Sequence, residues 1–295
     1  MKILLTGGSG FLGSALALRL LDAGHDVALL LRPQSSVQRL RGKDQLFSVA
    51  RVSTDAEILD FVALTAPDAV IHTACSYGRD LETPLDLLDA NLRLGMLLLL
   101  GVQKAASRQR ITFIHTGSAL VPSVSFYALS KRQFAQWGRS LALHAPERLQ
   151  FINMNLQHMY GPGDSRSKFS TLVMHACHAN QPVLELTPGD QTRDFIYLND
   201  VLSAFEVLLA QAHRLQTYDE IDVGSGHATK LRSFVETVHA LTRSTTQLKF
   251  GALPYRPNEA MHCQADISRM SGLGWAPAFD LNKGLMKTIE EDFGP

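Results

Sequence analysis

The chain has 295 residues, 28 Lys+Arg against 28 Asp+Glu, and 45% hydrophobic residues. That is enough for one large or two modest domains with a full core. The even charge excludes the basic surplus of a nucleic-acid binder, and no charged tail is visible. The cysteines, Cys75, Cys177 and Cys263, are odd in number and form no CxxC pair. A reducing, cytoplasmic setting is therefore expected rather than a disulfide framework. The longest strongly apolar run, Leu94 to Val102, is too short to span a bilayer. The short apolar run at Ile3–Leu5 ends at once in glycines, unlike a secretory leader.

In chain order, the first half alternates between strand and helix signals. Strands are predicted at Lys2–Thr6, Asp26–Leu31, Leu46–Val52, Ala69–Thr73, Thr112–Thr116 and Gln150–Asn155. Helices are predicted at Phe11–Ala23, Asp55–Leu64, Leu85–Ala106 and Tyr127–His144. Such alternation predicts an α/β fold: a doubly wound parallel Rossmann sheet. Gly161-Pro162-Gly163 marks a break, and Asn180 to Arg193 is loop-rich. Residues 1–160 are expected to form the nucleotide-binding domain, also receiving segments from about 190–215. Residues 161–295 are expected to build mainly a smaller C-terminal substrate-binding lobe.

Between the first strand and first helix lies Thr6-Gly7-Gly8-Ser9-Gly10-Phe11-Leu12-Gly13. Gly7 suits a tight turn, Gly10 a close backbone approach to a pyrophosphate, and Gly13 close helix–strand packing. The N–H groups of Ser9, Gly10, Phe11 and Leu12 are candidates for the anion, because they open the helix N-terminus. After the second strand no carboxylate stands ready for the ribose hydroxyls. Arg32 comes first instead, with Ser35, Ser36 and Arg39 nearby. A guanidinium there favours NADP(H) over NAD(H). The plainer reading is an arginine solvating a strand end.

Tyr127 and Lys131 are four apart on a predicted helix, so phenol and ammonium share a face. A neighbouring cation favours the phenolate and draws the phenol pKa down from about 10. Ser118 follows the fifth predicted strand, where ligands bind in open α/β sheets. Thr116 and Ser125 compete with it, and a turn or cap serine is the plainer role. The Leu85–Ala106 helix is apolar around most of its circumference. A single buried face needs only a stripe, so either a subunit contact or burial between sheet and loops is expected. His175, Cys177 and His178 lack further ligands, so no metal site is expected. Cys75 and Met261 read as packing residues, as does Trp275. His115 reads as a hydrogen-bonded core histidine.

These features, in this order, resemble the extended short-chain dehydrogenase/reductases, the NAD-dependent epimerase/dehydratase branch that modifies sugar nucleotides. TGGSGFLG is its cofactor turn. His72-Thr73-Ala74 is similar to its strand-four motif, which places Thr73 and Ala74 beside the cofactor, and Asn91 to its helix-four asparagine. Thr116-Gly117-Ser118 and Tyr127-x-x-x-Lys131 match its catalytic elements, implying Ser118, Tyr127 and Lys131 as catalytic residues. Tyr160-Gly161-Pro162-Gly163, Arg193-Asp194-Phe195 with Asp200, Arg256-Pro257-Asn258-Glu259 and Gly274-Trp275-x-Pro277 match its later signatures. Asn155 departs from an arginine common in the family, and Asp55 only loosely matches its adenine-contacting aspartate.

Within the family the chain most resembles the 4-ketoreductases of the CDP-abequose synthase type, through His158-Met159-Tyr160-Gly161-Pro162-Gly163-Asp164, Lys168-Phe169 and Asn258-Glu259-x-Met261. The resemblance implies NADPH-dependent reduction of a nucleotide-linked 4-keto-deoxyhexose in deoxysugar or lipopolysaccharide precursor synthesis. It implies a nucleoside-diphosphate sugar as substrate, with CDP favoured and dTDP, UDP and GDP open, and a homodimer. Arg193 and Arg256 would hold the diphosphate, with Lys168 and Glu259 at the same ligand. His158 either contacts sugar or nucleotide, or braces a loop. One alternative is a 4-epimerase retaining NAD; another is a non-catalytic NADP-binding regulator. Gly117-Ser118 stands where a 4,6-dehydratase carries Asp-Glu, which argues against dehydration.

Overall fold

The computed structural model describes residues 1–78, 82–106 and 109–294. Elements follow in chain order. They are β1 (Lys2–Thr6), α1 (Phe11–Asp22), β2 (Asp26–Leu31), β3 (Ser48–Arg51), α2 (Asp55–Thr65), β4 (Ala69–His72), α3 (Pro84–Leu88), α4 (Leu94–Lys104), β5 (Ile111–Thr116), α5 (Phe126–His144) and β6 (Leu149–Leu156). Then come β7 (His158–Tyr160), α6 (Phe169–His178), β8 (Val183–Leu186), β9 (Thr192–Tyr197), α7 (Leu198–Ala210), β10 (Tyr218–Val223), β11 (Ala228–Lys230), α8 (Leu231–Leu241), β12 (Gln247–Phe250), α9 (Ser268–Gly272) and α10 (Leu281–Phe293).

The chain divides into two compact units. One comprises Met1–Asn155 with Phe205–Ile221; the other comprises Leu156–Ala204 with Asp222–Pro295. The first unit carries a seven-stranded sheet in the order β10-β6-β5-β4-β1-β2-β3. The pairs β1–β2, β2–β3, β1–β4, β4–β5 and β5–β6 are all parallel. Parallel strands covered on both faces read as continuous apolar runs. Ile3, Leu4 and Leu5 accordingly have no exposed surface, and Val27 to Leu31 are all buried. The strand order reverses between β1 and β4, where Thr6 is in register with His72. That reversal opens a crevice at the strands' C-terminal ends, the usual ligand position in such sheets.

Glycines set two helix approaches. A Cβ on Gly95 of α4 would stand 2.4 Å from the Phe134 ring, and one on Gly101 would stand 2.6 Å from Val62. The predicted Leu85–Ala106 helix is interrupted: α3 and α4 are joined by a π-helical turn, Asp89–Arg93. Leu98, Leu99 and Val102 are fully buried, whereas Leu85, Leu88 and Leu100 remain exposed. The second apolar side is therefore not sunk between sheet and loops.

The second unit holds a three-stranded sheet, β11-β9-β7, and the pair β12-β8. Its core gathers Tyr160, Val173, Met174, Cys177, Phe195, Tyr197 and Phe234. Trp275 is buried and donates Nε1–H to Ser203 Oγ at 2.9 Å. Met261 departs from the expected core role: it is 47% exposed. It lies in a strap, residues 252–265, whose backbone oxygen accepts from Thr192 N at 2.9 Å, so its main chain is used and its side chain left outside. Asp200 accepts from Ala278 N and Phe279 N, at 2.8 and 3.1 Å, and burial raises its pKa.

Asp194, with no exposed surface, accepts four hydrogen bonds: from Ser225 N, Ser225 Oγ, Gly226 N and Ala265 N, at 2.7 to 3.0 Å. A buried carboxylate is tolerated only when its oxygens are so occupied. Asp194→Ala strands those donors in the interior. We expect it to lower unfolding stability by about 3 kcal/mol or more in a urea titration. A loss below about 1 kcal/mol would show that water substitutes for the carboxylate.

Candidate active site

The turn after β1 is built by close backbone contact. Gly7 has φ +76°, and a Cβ there would lie 2.5 Å from Thr73 Oγ1 and 2.7 Å from Ala74 N. A Cβ on Gly13 would lie 2.1 Å from the Gly7 oxygen. Gly10 N donates to Gly7 O at 2.8 Å, and Gly10 is the N-cap of α1, without a side-chain cap. A Cβ on Gly10 would meet only the Gly7 oxygen, at 3.3 Å. The open N-terminus of α1 and this unfilled backbone cradle fit a dinucleotide pyrophosphate. Thr73 Oγ1 donates to Thr6 O at 2.7 Å, and Ala74 N to Thr6 Oγ1 at 3.3 Å. The strand-four motif is thus tied to the glycine turn.

Arg32 is exposed at the end of β2, and its guanidinium makes no hydrogen bond or ion pair among the described residues. Asp55, by contrast, is ion-paired to Arg93 at 2.5 Å.

Lys131 lies on α5, which starts where Ser125 Oγ caps Ala128 N at 3.1 Å. Ser125, a competitor of Ser118, is therefore used as a cap. Lys131 is 2% exposed and donates to Thr116 O at 2.7 Å. Its ammonium lies 5.9 Å from the centroid of the partly buried Tyr127 ring. Burial lowers the Lys131 pKa, and nearby Cys75 opposes that shift. Ser118 Oγ accepts from Leu120 N at 3.2 Å and is partly exposed, whereas Thr116 is buried and its hydroxyl has no hydrogen-bond partner among the described residues.

Asn91, fully buried on the π turn, donates to Ser76 O (2.8 Å) and Ser130 Oγ (2.9 Å) and accepts from Ser76 N (2.7 Å). It therefore braces the loop after β4 against α5. That loop brings Tyr77 against Tyr127, with ring centroids 4.9 Å apart and planes at 29°. Sequence reasoning missed Tyr77, because the stacking joins distant segments and follows no local motif.

Two buried histidines flank Lys131. His72 shares a 2.7 Å hydrogen bond with Thr6 Oγ1, and its ring stacks on His115 at 5.7 Å. Desolvation first, then Lys131, pushes His72 down to about 3 and holds His115 well below its usual range. His115 is core, as expected, but its ring nitrogens find no hydrogen-bond partner within 3.5 Å among the described residues. Its neighbours there, Phe134 and Phe151, offer only ring surface.

The second unit groups the other predicted residues. His158 on β7 is in register with Phe195, and its buried Nδ1 lacks a partner among the described residues. Desolvation, then Arg193, then Lys168 push its pKa down to about 4. Lys168 pairs with the buried Asp164 at 2.9 Å. Arg193, largely buried, donates to Thr192 O (2.7 Å) and Ala260 O (2.6 Å) and pairs with Glu259. Glu259 closes a turn whose N–H reaches Arg256 O at 3.1 Å, with Asn258 at φ +60°. Arg256 is exposed, and its guanidinium makes no hydrogen bond or ion pair among the described residues. His158, Lys168, Arg193 and Glu259 thus form one group, with Arg256 at the start of the strap's turn.

The sequence profile of the NAD dependent epimerase/dehydratase family matches residues 3–224. The chain belongs to that family. It is 29% identical over 300 residues to CDP-abequose synthase of Salmonella typhimurium, covering 98% of this chain and 97% of that protein. It is 25% identical to a probable UDP-glucuronate 4-epimerase of Rhizobium meliloti, covering 98% and 96%. In fold it resembles UDP-glucose 4-epimerase of Thermotoga maritima, with TM-score 0.83, 20% identity and coverage of 99% and 98%. For an epimerase/dehydratase family member, an enzyme built on a nicotinamide dinucleotide, the cradle at Gly7–Gly13 has a plain use.

His158 gives a pH dependence with a definite sign. Its folded pKa, about 4, lies below the ordinary 6.5, so between them the unfolded chain binds more protons. Stability is full above about pH 6.5 and falls as the pH drops toward 4, by about 3 kcal/mol from this residue. Urea unfolding at a series of pH values checks this. His158→Asn, which takes no proton, should flatten that part of the fall; an unchanged slope would place the proton elsewhere.

Proposed function

We propose that the protein reduces the C4 carbonyl of a nucleotide-linked 4-keto-deoxyhexose with NADPH. The likeness to a CDP-abequose synthase along almost the entire chain carries this reading. Bound nicotinamide supplies the hydride. Tyr127 gives the proton to the developing alkoxide oxygen. The Lys131 ammonium, out of water and held by Thr116 O, favours a phenolate on Tyr127. Ser118 orients the carbonyl with its hydroxyl hydrogen. The group around Arg193 receives the nucleoside diphosphate, so that binding energy positions the sugar. CDP is the favoured nucleotide.

The uncommitted Arg32 supports NADPH, because a ribose phosphate suits a planar guanidinium fork. Three free thiols suit a reducing cytoplasm. A homodimer is also proposed. The exposed Leu85, Leu88 and Leu100, with Phe126, Leu129 and Trp137 of α5, leave more apolar surface than a monomer needs.

Screening 4-keto sugar nucleotides with NADPH, with the product identified by NMR, tests the reaction. Tightly held NAD and turnover without net NADPH consumption would assign a 4-epimerase instead. Tyr127→Phe should lower turnover about 100- to 10,000-fold while cofactor affinity changes little. Turnover within about threefold of wild type would mean that another group supplies the proton. Arg32→Ala should weaken NADPH binding about tenfold to a hundredfold and leave NADH nearly unaffected. Equal losses for both would assign Arg32 to folding.

A further inference from the structure

β3 lies beside β2 at the sheet edge, with Leu31 in register with Arg51. Arg51 is exposed and ends its strand. Its guanidinium reaches across to the turn that follows β2. One nitrogen, Nη1, donates to three backbone oxygens: Arg32 O at 3.3 Å, Pro33 O at 2.9 Å and Ser35 O at 3.0 Å. Ser35 N also donates to Arg32 O at 3.0 Å, closing the turn Arg32-Pro33-Gln34-Ser35. Pro33 stands at the second position, where its fixed φ suits such a turn. The carbonyls of this turn therefore converge on one charged donor, and charge-assisted hydrogen bonds are the stronger kind.

The charges there call for an anion. Arg32 and Arg51 both lie at this corner, and neither makes an ion pair with an acidic side chain among the described residues. Two uncompensated guanidinium groups near one turn repel each other unless an anion joins them. The backbone bonds of Arg51 direct it to the turn, while the Arg32 side chain is left uncommitted.

We infer that Arg51 is a positioning residue for cofactor selectivity, holding the turn that presents Arg32 to the ribose 2′-phosphate of NADPH. This rests on the NADPH reading above. Arg51 acts through the backbone: three carbonyls fix where Arg32 leaves the sheet. A guanidinium is required less for its charge than for its donors. A loosened turn would cost the phosphate contact and spare the rest of the dinucleotide, whose pyrophosphate fits the Gly7–Gly13 cradle.

The test is a titration of the full chain with NADPH and with NADH. Arg51→Met, which keeps the stem and removes the donors, should weaken NADPH about tenfold and change NADH less than about twofold. Arg51→Gln, a neutral donor, and Arg51→Lys, a charged one, should each recover part of the loss. NADH affinity reports whether each variant is folded. Equal losses for both cofactors, or no loss for either, would overturn the inference. Arg32→Ala is titrated alongside. If it leaves the NADPH-to-NADH ratio unchanged, the NADPH reading itself fails and this inference falls with it. If Arg32→Ala collapses the ratio and Arg51→Met does not, only the positioning role is lost.

Discussion

The first unit depends on how closely the turn after β1 approaches the end of β4. Thr6 and His72 are paired in register, and the chain leaves both strands at the point where the sheet order reverses. There the Gly7 backbone sits against Thr73 and Ala74, and the start of α1 sits against Gly7. A side chain at Gly7 or Gly13 would fill space already taken by backbone. Thr6 joins the two segments from below, through its oxygen to Thr73, its hydroxyl to Ala74, and its hydroxyl to His72. The result is a helix N-terminus aimed over a crevice with no side chain in the way. Arg32 enters this frame from the neighbouring strand.

Lys131 imposes the second constraint. An ammonium buried to 2% exposure and held by the Thr116 carbonyl is costly unless an anion comes near. The two flanking histidines cannot share that charge, because burial and the lysine itself keep them neutral. The aromatic rings of Phe113, Phe134 and Phe151 close off the other sides of the histidine pair. The site is therefore short of negative charge, and in the proposed reaction the phenol of Tyr127, whose ring lies 5.9 Å away, is the group that becomes anionic. Tyr77 stacks against that ring, and the loop carrying Tyr77 is itself held by Asn91. The π turn that contains Asn91 fits this function, since such turns occur where a side chain must face inward out of helical phase.

Much of this was legible in the sequence. β1 and β2 were foreseen to the residue, because continuous apolar runs bounded by glycine leave little choice of register or end. The α5 start was visible to within one residue, and the Tyr127–Lys131 pair follows from helical spacing. Two kinds of feature were not legible. The break between α3 and α4 depends on Asn91 meeting Ser76 and Ser130, contacts that local pattern does not encode. Arg51 and Tyr77 act on segments far from them in sequence. The return of a later segment to the first unit was expected from about 190–215; it falls at Phe205–Ile221, where β10 joins the sheet edge beside β6. Met261 read as core because methionine is apolar, yet in a strap held by its main chain the side chain is free to face out.

In the second unit, two neighbouring residues of β9 divide one task. Successive side chains of a strand point to opposite faces. Asp194 turns toward the Ser225–Gly226 loop and Ala265, and four N–H and O–H groups neutralise it. Arg193 turns the other way and takes Ala260 O and Glu259 from the strap. The Arg-Asp dipeptide thus pins the strap from both faces of one strand, before any ligand is considered. For Arg193 also to hold a diphosphate, as proposed, its guanidinium must divide its donors between Glu259 and phosphate. Five N–H groups in a planar fork permit that division, whereas a lysine ammonium, with three donors at a point, would have to release the strap. The exposed Arg256, at the start of the same turn, makes no such side-chain contact among the described residues. The two arginines are therefore unequal: one is built into the scaffold and already charge-compensated, and the other waits in solvent with its full charge available.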